Sequence, residues 1–241
     1  MLKLLKIAFW TTFRTIKVVL VGVINKHKEN YFYEEMKLWA DDLLRSTKTE
    51  VIIKGIENIN LSETYIYISN HTNLLDIPVL VKTLYKDKVN FVYRKSLQKI
   101  PILGFALKHS PFVPIVRENI KTTNMEYANT VLQSMGSVIV FPEGTRSKTG
   151  DIAKFKRGAF MLAMMSNKKI IPISISGIEK ITPYNKKLKI NKGKVIVEIC
   201  PAIAELPIER SELLNAIKNI QTTITEVKKR NDDIIVATFK D

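Results

Sequence analysis

Seven short runs rich in β-branched and aromatic residues punctuate the chain from residue 50 onward: EVIIKGIE, TYIYIS, VNFVYR, PFVPIV, SVIVF, KIIPISI and GKVIVEIC. Helical patterns separate several of them, at 75–86, 118–135 and 155–166. A closing amphipathic pattern near 209–230 puts Leu213, Ile217, Ile220, Ile224 and Val227 on one face. Such alternation predicts an α/β sheet with helices packed on it, over 49–241. Functional loops in such a sheet lie where strands end and helices begin, because helix N-termini present unpaired N–H groups there.

Residues 1–48 read differently. The opening stretch MLKLLKIAFWTTFRTIKVVLVGVI has no unbroken apolar run longer than Val18–Ile24, far short of the ~20 residues that cross a bilayer. No small-residue cleavage pattern follows it, so secretion is not expected. On a helical wheel Lys3, Lys6, Arg14 and Lys17 share a narrow sector with Trp10. Leu2, Leu5, Phe9, Phe13, Ile16 and Leu20 fill a broad apolar sector beside it. This predicts a helix lying in the membrane interface, cations toward phosphates and apolar side chains toward acyl tails. A second helix is predicted at about 30–46, and packing of both helices on the protein's own core or on a second subunit is the alternative. A tilted span is disfavoured by the cost of Arg14 and Lys17 near the bilayer centre.

Charge narrows the partner. The net charge of +15 on 241 residues is concentrated in three places. Residues 1–30 carry six Lys/Arg against one acid, 146–169 seven against one, and 180–194 six against none. Clustered cations point to an anionic partner: a membrane surface, nucleic acid or a phosphorylated substrate. Nucleic acid is not expected, because the basic stretch KKLKINKGK has no interleaved aromatics. The single cysteine, Cys200, rules out an internal disulfide and is expected to be a buried small hydrophobe.

Two polar clusters fall at strand ends. TYIYIS runs into Asn70-His71 and then toward Asp76, and SVIVF runs into Pro142-Glu143-Gly144-Thr145-Arg146-Ser147. Five residues of helix turn two side chains about 140° apart. His71 and Asp76 can therefore meet only if the histidine stands on the turn before the helix and the acid lies in its first turn. So placed, His71 can act as a general base oriented by Asp76. No GxSxG elbow exists to supply a nucleophile, so a hydroxyl activated by this pair would belong to the substrate. In the second cluster Gly144 permits close backbone approach to a ligand, Thr145 and Ser147 offer hydroxyls, and Arg146 can hold a phosphate by two parallel hydrogen bonds. The GxxxxGK[ST] phosphate loop is absent, so nucleotide hydrolysis has no support.

NHTNLLD and FPEGTRS in combination resemble blocks of the glycerolipid acyltransferase family, most closely its bacterial 1-acyl-glycerol-3-phosphate acyltransferases. The stretch KSLQKIPILG from Lys95 to Gly104, followed by Arg117, looks like that family's second block, and IIPISI at 170–175 like its fourth. Asn73 stands where the family usually has serine, and SPFVPIV lacks the glycine and acid often found before the block's arginine. The resemblance implies a mixed sheet flanked by helices, which the wheel pattern of residues 1–48 precedes with an amphipathic two-helix membrane-binding segment. The implied reaction moves a fatty acyl group from acyl-CoA or acyl carrier protein to a glycerophosphate hydroxyl. His71 would deprotonate that hydroxyl and Asp76 would orient His71. Arg146 would bind the acceptor phosphate, with Glu143, Gly144 and Thr145 shaping the site and Lys95 and Arg117 as further cations. No metal or cofactor is implied beyond the thioester co-substrate. Lysophosphatidic acid as acceptor would place the protein at an anionic membrane surface, on the cytoplasmic face of the cell membrane, peripheral or monotopic. A different lysolipid acceptor and a non-enzymatic basic membrane-surface adaptor are the competing readings.

Overall fold

The computed structural model describes residues 2–24, 29–115, 136–147, 149–183 and 189–237. Its elements, in chain order, begin with helices α1 (Leu2–Ile24) and α2 (Glu29–Thr47). Strand β1 (Thr49–Lys54) leads through β2 (Tyr65–Ser69) to helix α3 (Asp76–Thr83). Strand β3 (Asn90–Arg94) continues into a 3-10 turn at Lys95–Lys99, helix α4 (Leu103–Lys108) and strand β4 (Val113–Ile115). Strand β5 (Val138–Val140) precedes helix α5 (Gly158–Ser166), strand β6 (Lys169–Ser176) and the short helix α6 (Ile178–Ile181). Strand β7 (Gly193–Ile199) and helix α7 (Arg210–Ala237) close the described chain.

The seven strands form one sheet in the order β1-β7-β6-β2-β5-β3-β4. All neighbours are parallel except β6 and β7, so the sheet is mixed. Five adjacent strands, β6 to β4, thus end at one common edge. Alternation along β2 divides the core. Tyr65 and Tyr67 face α2 and α3 with Ala40, Leu44, Val79 and Leu80. Ile66 and Ile68 face α5 and α7 with Phe160, Leu162, Ile217 and Ile224. Because both faces are covered, β2 and β6 read as nearly continuous apolar runs.

Several boundaries differ from expectation. The helix expected from 155 begins at Gly158, because the backbone at Phe155 and Lys156 is engaged elsewhere, by Gln221 and by the Pro142 carbonyl. The closing helix runs past 230 to Ala237, since Asn231 and Ile235 are buried and Asn231 donates to Glu198. The pattern at 118–135 lies outside the described residues. Cys200 is buried, and that burial pushes its thiol up to about 11, the environment of an inert side chain.

The orientation of α1 corrects the wheel-based expectation for its cations. Arg14 donates to Asp42 through Nε and Nη2, at 3.0 and 2.7 Å, and to Glu35 through Nη1 at 2.9 Å. Lys17 reaches Glu35 as well, and Lys3 caps the carbonyls of Thr47 and Ile190 at 3.1 and 3.0 Å. Three of the four cations therefore bind the protein itself. The apolar sector faces outward instead: Leu2, Leu5, Phe9 and Leu20 are each more than half exposed, and Phe13 and Ile16 accompany them. Among the described residues no helix is long and apolar enough to cross a membrane.

Candidate active site

β2 and β5 are hydrogen-bonded neighbours, so the segments that follow them, Asn70–Asp76 and Phe141–Ser147, leave the sheet side by side. Asn70 fixes the first. Its amide donates to the Ile175 carbonyl at 2.9 Å and accepts from the Ile175 N–H at 2.8 Å, clamping the turn to β6. His71 then stands on the turn, and Asp76 opens α3. The awkward five-residue offset closes to 2.7 Å between Nδ1 of His71 and Oδ2 of Asp76. The same carboxylate oxygen accepts the backbone N–H groups of Thr72 and Asn73, each at 2.7 Å. The acid in the first turn of α3 thus reaches back and holds the turn before the helix beneath the ring. With its Nδ1 proton committed to Asp76, the imidazole keeps the lone pair on Nε2, on a side chain 15% exposed.

The second loop grips the first. Glu143, nearly fully buried, accepts the backbone N–H of His71 at 2.7 Å with one oxygen and that of Ala153 at 2.8 Å with the other. Burial pushes its carboxyl above the usual range, against the pull of those two N–H groups. The Ser147 N–H donates to the His71 carbonyl at 2.8 Å. Phe141 lies flat against the imidazole, ring centroids 4.0 Å apart and planes 15° from parallel. The base is thus held by an acid, two backbone bonds and an aromatic face.

The cations surround this centre on the sheet edge. Gly144 adopts φ +73, and a Cβ there would come within 2.8 Å of Lys156 Nζ, so only glycine leaves the ammonium its place. Thr145 and Arg146 are exposed, and Arg146 makes no ion pair among the described residues. Lys95 follows the end of β3, the next strand beyond β5, about 10 Å across the sheet from β2 at two strand spacings. Arg117 lies outside the described residues. Lys156 and Phe141 were missed as site residues in the sequence. Lys156 sits twelve positions after Gly144 and is brought back beside it where its N–H bonds the Pro142 carbonyl at 2.9 Å. Asn73 donates to the Thr182 carbonyl at 3.1 Å and accepts from the Leu75 N–H at 3.3 Å, so it shapes the turn. Chemically the arrangement offers a base with an open nitrogen, an acid behind it and cations beside it. That suits proton abstraction from a hydroxyl on an anionic molecule.

An α/β sheet bearing a histidine–aspartate pair and a cationic loop at one strand edge defines the class, and the comparisons give the family. The acyltransferase family model matches residues 50–176, just over half of the chain, and the protein belongs to that family. It is 32% identical over 183 residues to the chloroplastic 1-acyl-sn-glycerol-3-phosphate acyltransferase BAT2 of Brassica napus, covering 74% of this chain and 52% of that one. The chain thus spans about half the length of that plant relative. It is 25% identical over 180 residues to the 1-acyl-sn-glycerol-3-phosphate acyltransferase of Borreliella burgdorferi, covering 73% of this chain and 71% of the other. Its fold matches the crystal structure of the 1-acyl-sn-glycerophosphate acyltransferase PlsC from Thermotoga maritima with a TM-score of 0.76. The match covers 94% of this chain and 95% of that one at 24% identity.

Proposed function

We propose that the protein transfers a fatty acyl group from acyl-CoA or acyl carrier protein to the sn-2 hydroxyl of 1-acyl-sn-glycerol-3-phosphate, giving phosphatidic acid for phospholipid synthesis. The observation that carries this is the 2.7 Å His71–Asp76 contact held against the Glu143–Arg146 loop, in a chain whose relatives bear the name of that reaction. Nε2 of His71 takes the proton of the acceptor hydroxyl. The freed oxygen attacks the thioester carbonyl, a C–O bond forms and the C–S bond breaks. The departing thiolate collects the proton from the imidazolium, which Asp76 has stabilised meanwhile. Arg146 and Lys156 hold the acceptor phosphate, with Lys95 and Arg117 as further basic candidates. The direct transfer accounts for a base that needs no nucleophile of its own. No metal or cofactor enters; the thioester is a co-substrate.

The outward apolar sector of α1 supports docking at the cytoplasmic face of the cell membrane, peripheral or monotopic, where a lysolipid acceptor resides. The inward ion pairs of Arg14 and Lys17, and the carbonyls that Lys3 caps, weaken the adaptor alternative, which needed those cations free. The test is thioester consumption by purified protein with lysophosphatidic acid and other lysolipids in mixed micelles, using acyl-CoA and acyl carrier protein in turn. His71→Ala should lower turnover by about three orders of magnitude or more. Full activity in that variant would overturn the mechanism, and preference for another lysolipid would reassign the acceptor.

A further inference from the structure

The segment between β3 and β4 carries a second surface. From Lys88 to Ile115 the chain holds five Lys or Arg and no acid. Four apolar side chains of this segment face solvent: Leu97 at 37%, Ile100 at 44%, Ile102 at 48% and Phe105 at 39% exposure. Arg94, Lys99 and Lys108 are exposed around them and form no ion pair among the described residues.

Ile102 is the informative residue. Its backbone sits at φ 63, ψ −59, and the Leu103 N–H donates to the Pro101 carbonyl at 2.6 Å, closing a three-residue γ-turn. A β-branched residue at positive φ is strained, and a glycine would relieve that strain. Packing inside the protein does not explain it, because the side chain is turned half outward. Strain kept at an exposed apolar residue points to something outside the molecule.

Position identifies what that is. The segment starts at the strand edge that carries His71 and the 141–147 loop. The opposite side of α4, through Leu103, Ala106 and Leu107, faces Thr11, Arg14 and Val18 of α1 across an apolar cleft of about 230 Å³. The patch is therefore joined through α4 to the helix bearing the exposed apolar stripe. A bilayer with anionic lipid meets both chemistries at once, phosphates for the rim and acyl tails for the centre. We propose that Leu97, Ile100, Ile102 and Phe105, rimmed by Arg94, Lys99 and Lys108, form a second docking surface that dips into an anionic bilayer beside the active site. This rests on the reading of a membrane-borne acceptor, and adds a contact from the α/β domain that fixes the site edge against the lipid.

The experiment labels Ile102→Cys or Phe105→Cys with an environment-sensitive fluorophore in a Cys200→Ala background, with Thr223→Cys on α7 as the control. Phosphatidylcholine vesicles with and without phosphatidylglycerol are the probe. A blue shift at 102 and 105 on anionic vesicles, absent at 223, is expected. Unlabelled Ile102→Gly should lower vesicle partition about tenfold while its Tm stays level or rises, which separates lipid contact from folding. Lys99→Glu with Lys108→Glu should remove the preference for anionic vesicles. Both variants should turn over a short-chain, monomeric acceptor at the wild-type rate. Vesicle-bound protein with no shift at 102 or 105 would overturn the proposal. So would a shift that only an acidic carrier protein elicits. Wild type inactive on every acceptor would instead defeat the acyltransferase reading, and the fluorescence arm would still decide the surface.

Discussion

Asp76 concentrates three donors on one oxygen, the imidazole N–H and two backbone N–H groups, while its other oxygen is buried with no hydrogen-bond partner among the described residues. Its geometry is set by the two backbone N–H groups of the preceding turn and its charge serves the ring. Asp76→Asn should therefore keep the two backbone contacts of the turn and lose the charge that stabilises the imidazolium. Turnover should fall by about three orders of magnitude with little change in KM for the thioester, read by steady-state kinetics. Asp76→Glu should not restore it, because a longer side chain cannot keep all three donors. Phe141 makes a second residue-scale prediction. It touches the base through a ring face, so Phe141→Leu should lower kcat by about tenfold at constant KM, and Phe141→Tyr should retain activity. A general loss of folding would lower Tm in both variants alike. The offset of His71 and Asp76 made this pair legible in the sequence, since only a turn-to-helix junction reconciles it. Phe141 was not legible: nothing in FPEGTRS shows that its first ring lies on a histidine seventy positions earlier. Stacking is decided by the register of β2 against β5, which pairs Ile68 with Val140.

At the scale of elements, the apolar runs located the seven strands of the described residues. Of these, β2, β5 and β6 are buried on both faces and leave continuous apolar signatures, while β1 is only half-buried and shows through its β-branched residues. The orientation of α1 was not legible, because a wheel says which residues share a face without saying which face turns inward. The answer lay on α2, where Glu35 and Asp42 are seven residues, two turns, apart and so present one acidic face to Arg14. Burial alone would raise the Glu35 carboxyl. The hydrogen bonds from Lys17 and Arg14 outweigh it and hold the group below its usual range. A depressed folded-state value contributes stability above the unfolded carboxylate range and loses it as pH falls through the folded value. The α1–α2 pair should thus loosen only below about pH 4. Fluorescence of Trp39, whose indole donates to Thr11 across the two helices at 3.1 Å, reports it. Glu35→Gln should abolish that acid transition. Arg14→Leu, by leaving Asp42 only the Arg45 cation at 3.7 Å and Glu35 only the Lys17 cation among the described residues, should cost about 3 kcal/mol.

For the whole molecule, the distribution of charge and apolar surface fixes how binding to a bilayer should depend on salt. A net charge of +15 invites the expectation of mainly electrostatic attachment. Three cations of α1 are spent inside the protein, while its outer face is apolar. Screening acts on the exposed charges, shrinking the Debye length from about 10 Å at 0.1 M salt to about 3 Å at 1 M, and leaves apolar insertion intact. Partition onto anionic vesicles should accordingly fall with salt to a plateau above zero. That plateau belongs to the α1 stripe together with the apolar patch at Leu97–Phe105, so Leu5→Ser with Phe9→Ser should lower it and leave the salt-sensitive part in place. Because both side chains are more than half exposed, the Tm of this variant should move little, since surface changes away from special contacts alter stability by about 0.5 kcal/mol or less. Sedimentation with vesicles across the salt series measures both parts at once. Complete release of wild type at 1 M salt would show that exposed lysines alone hold the protein to lipid, and that the outward apolar face of α1 serves some other contact.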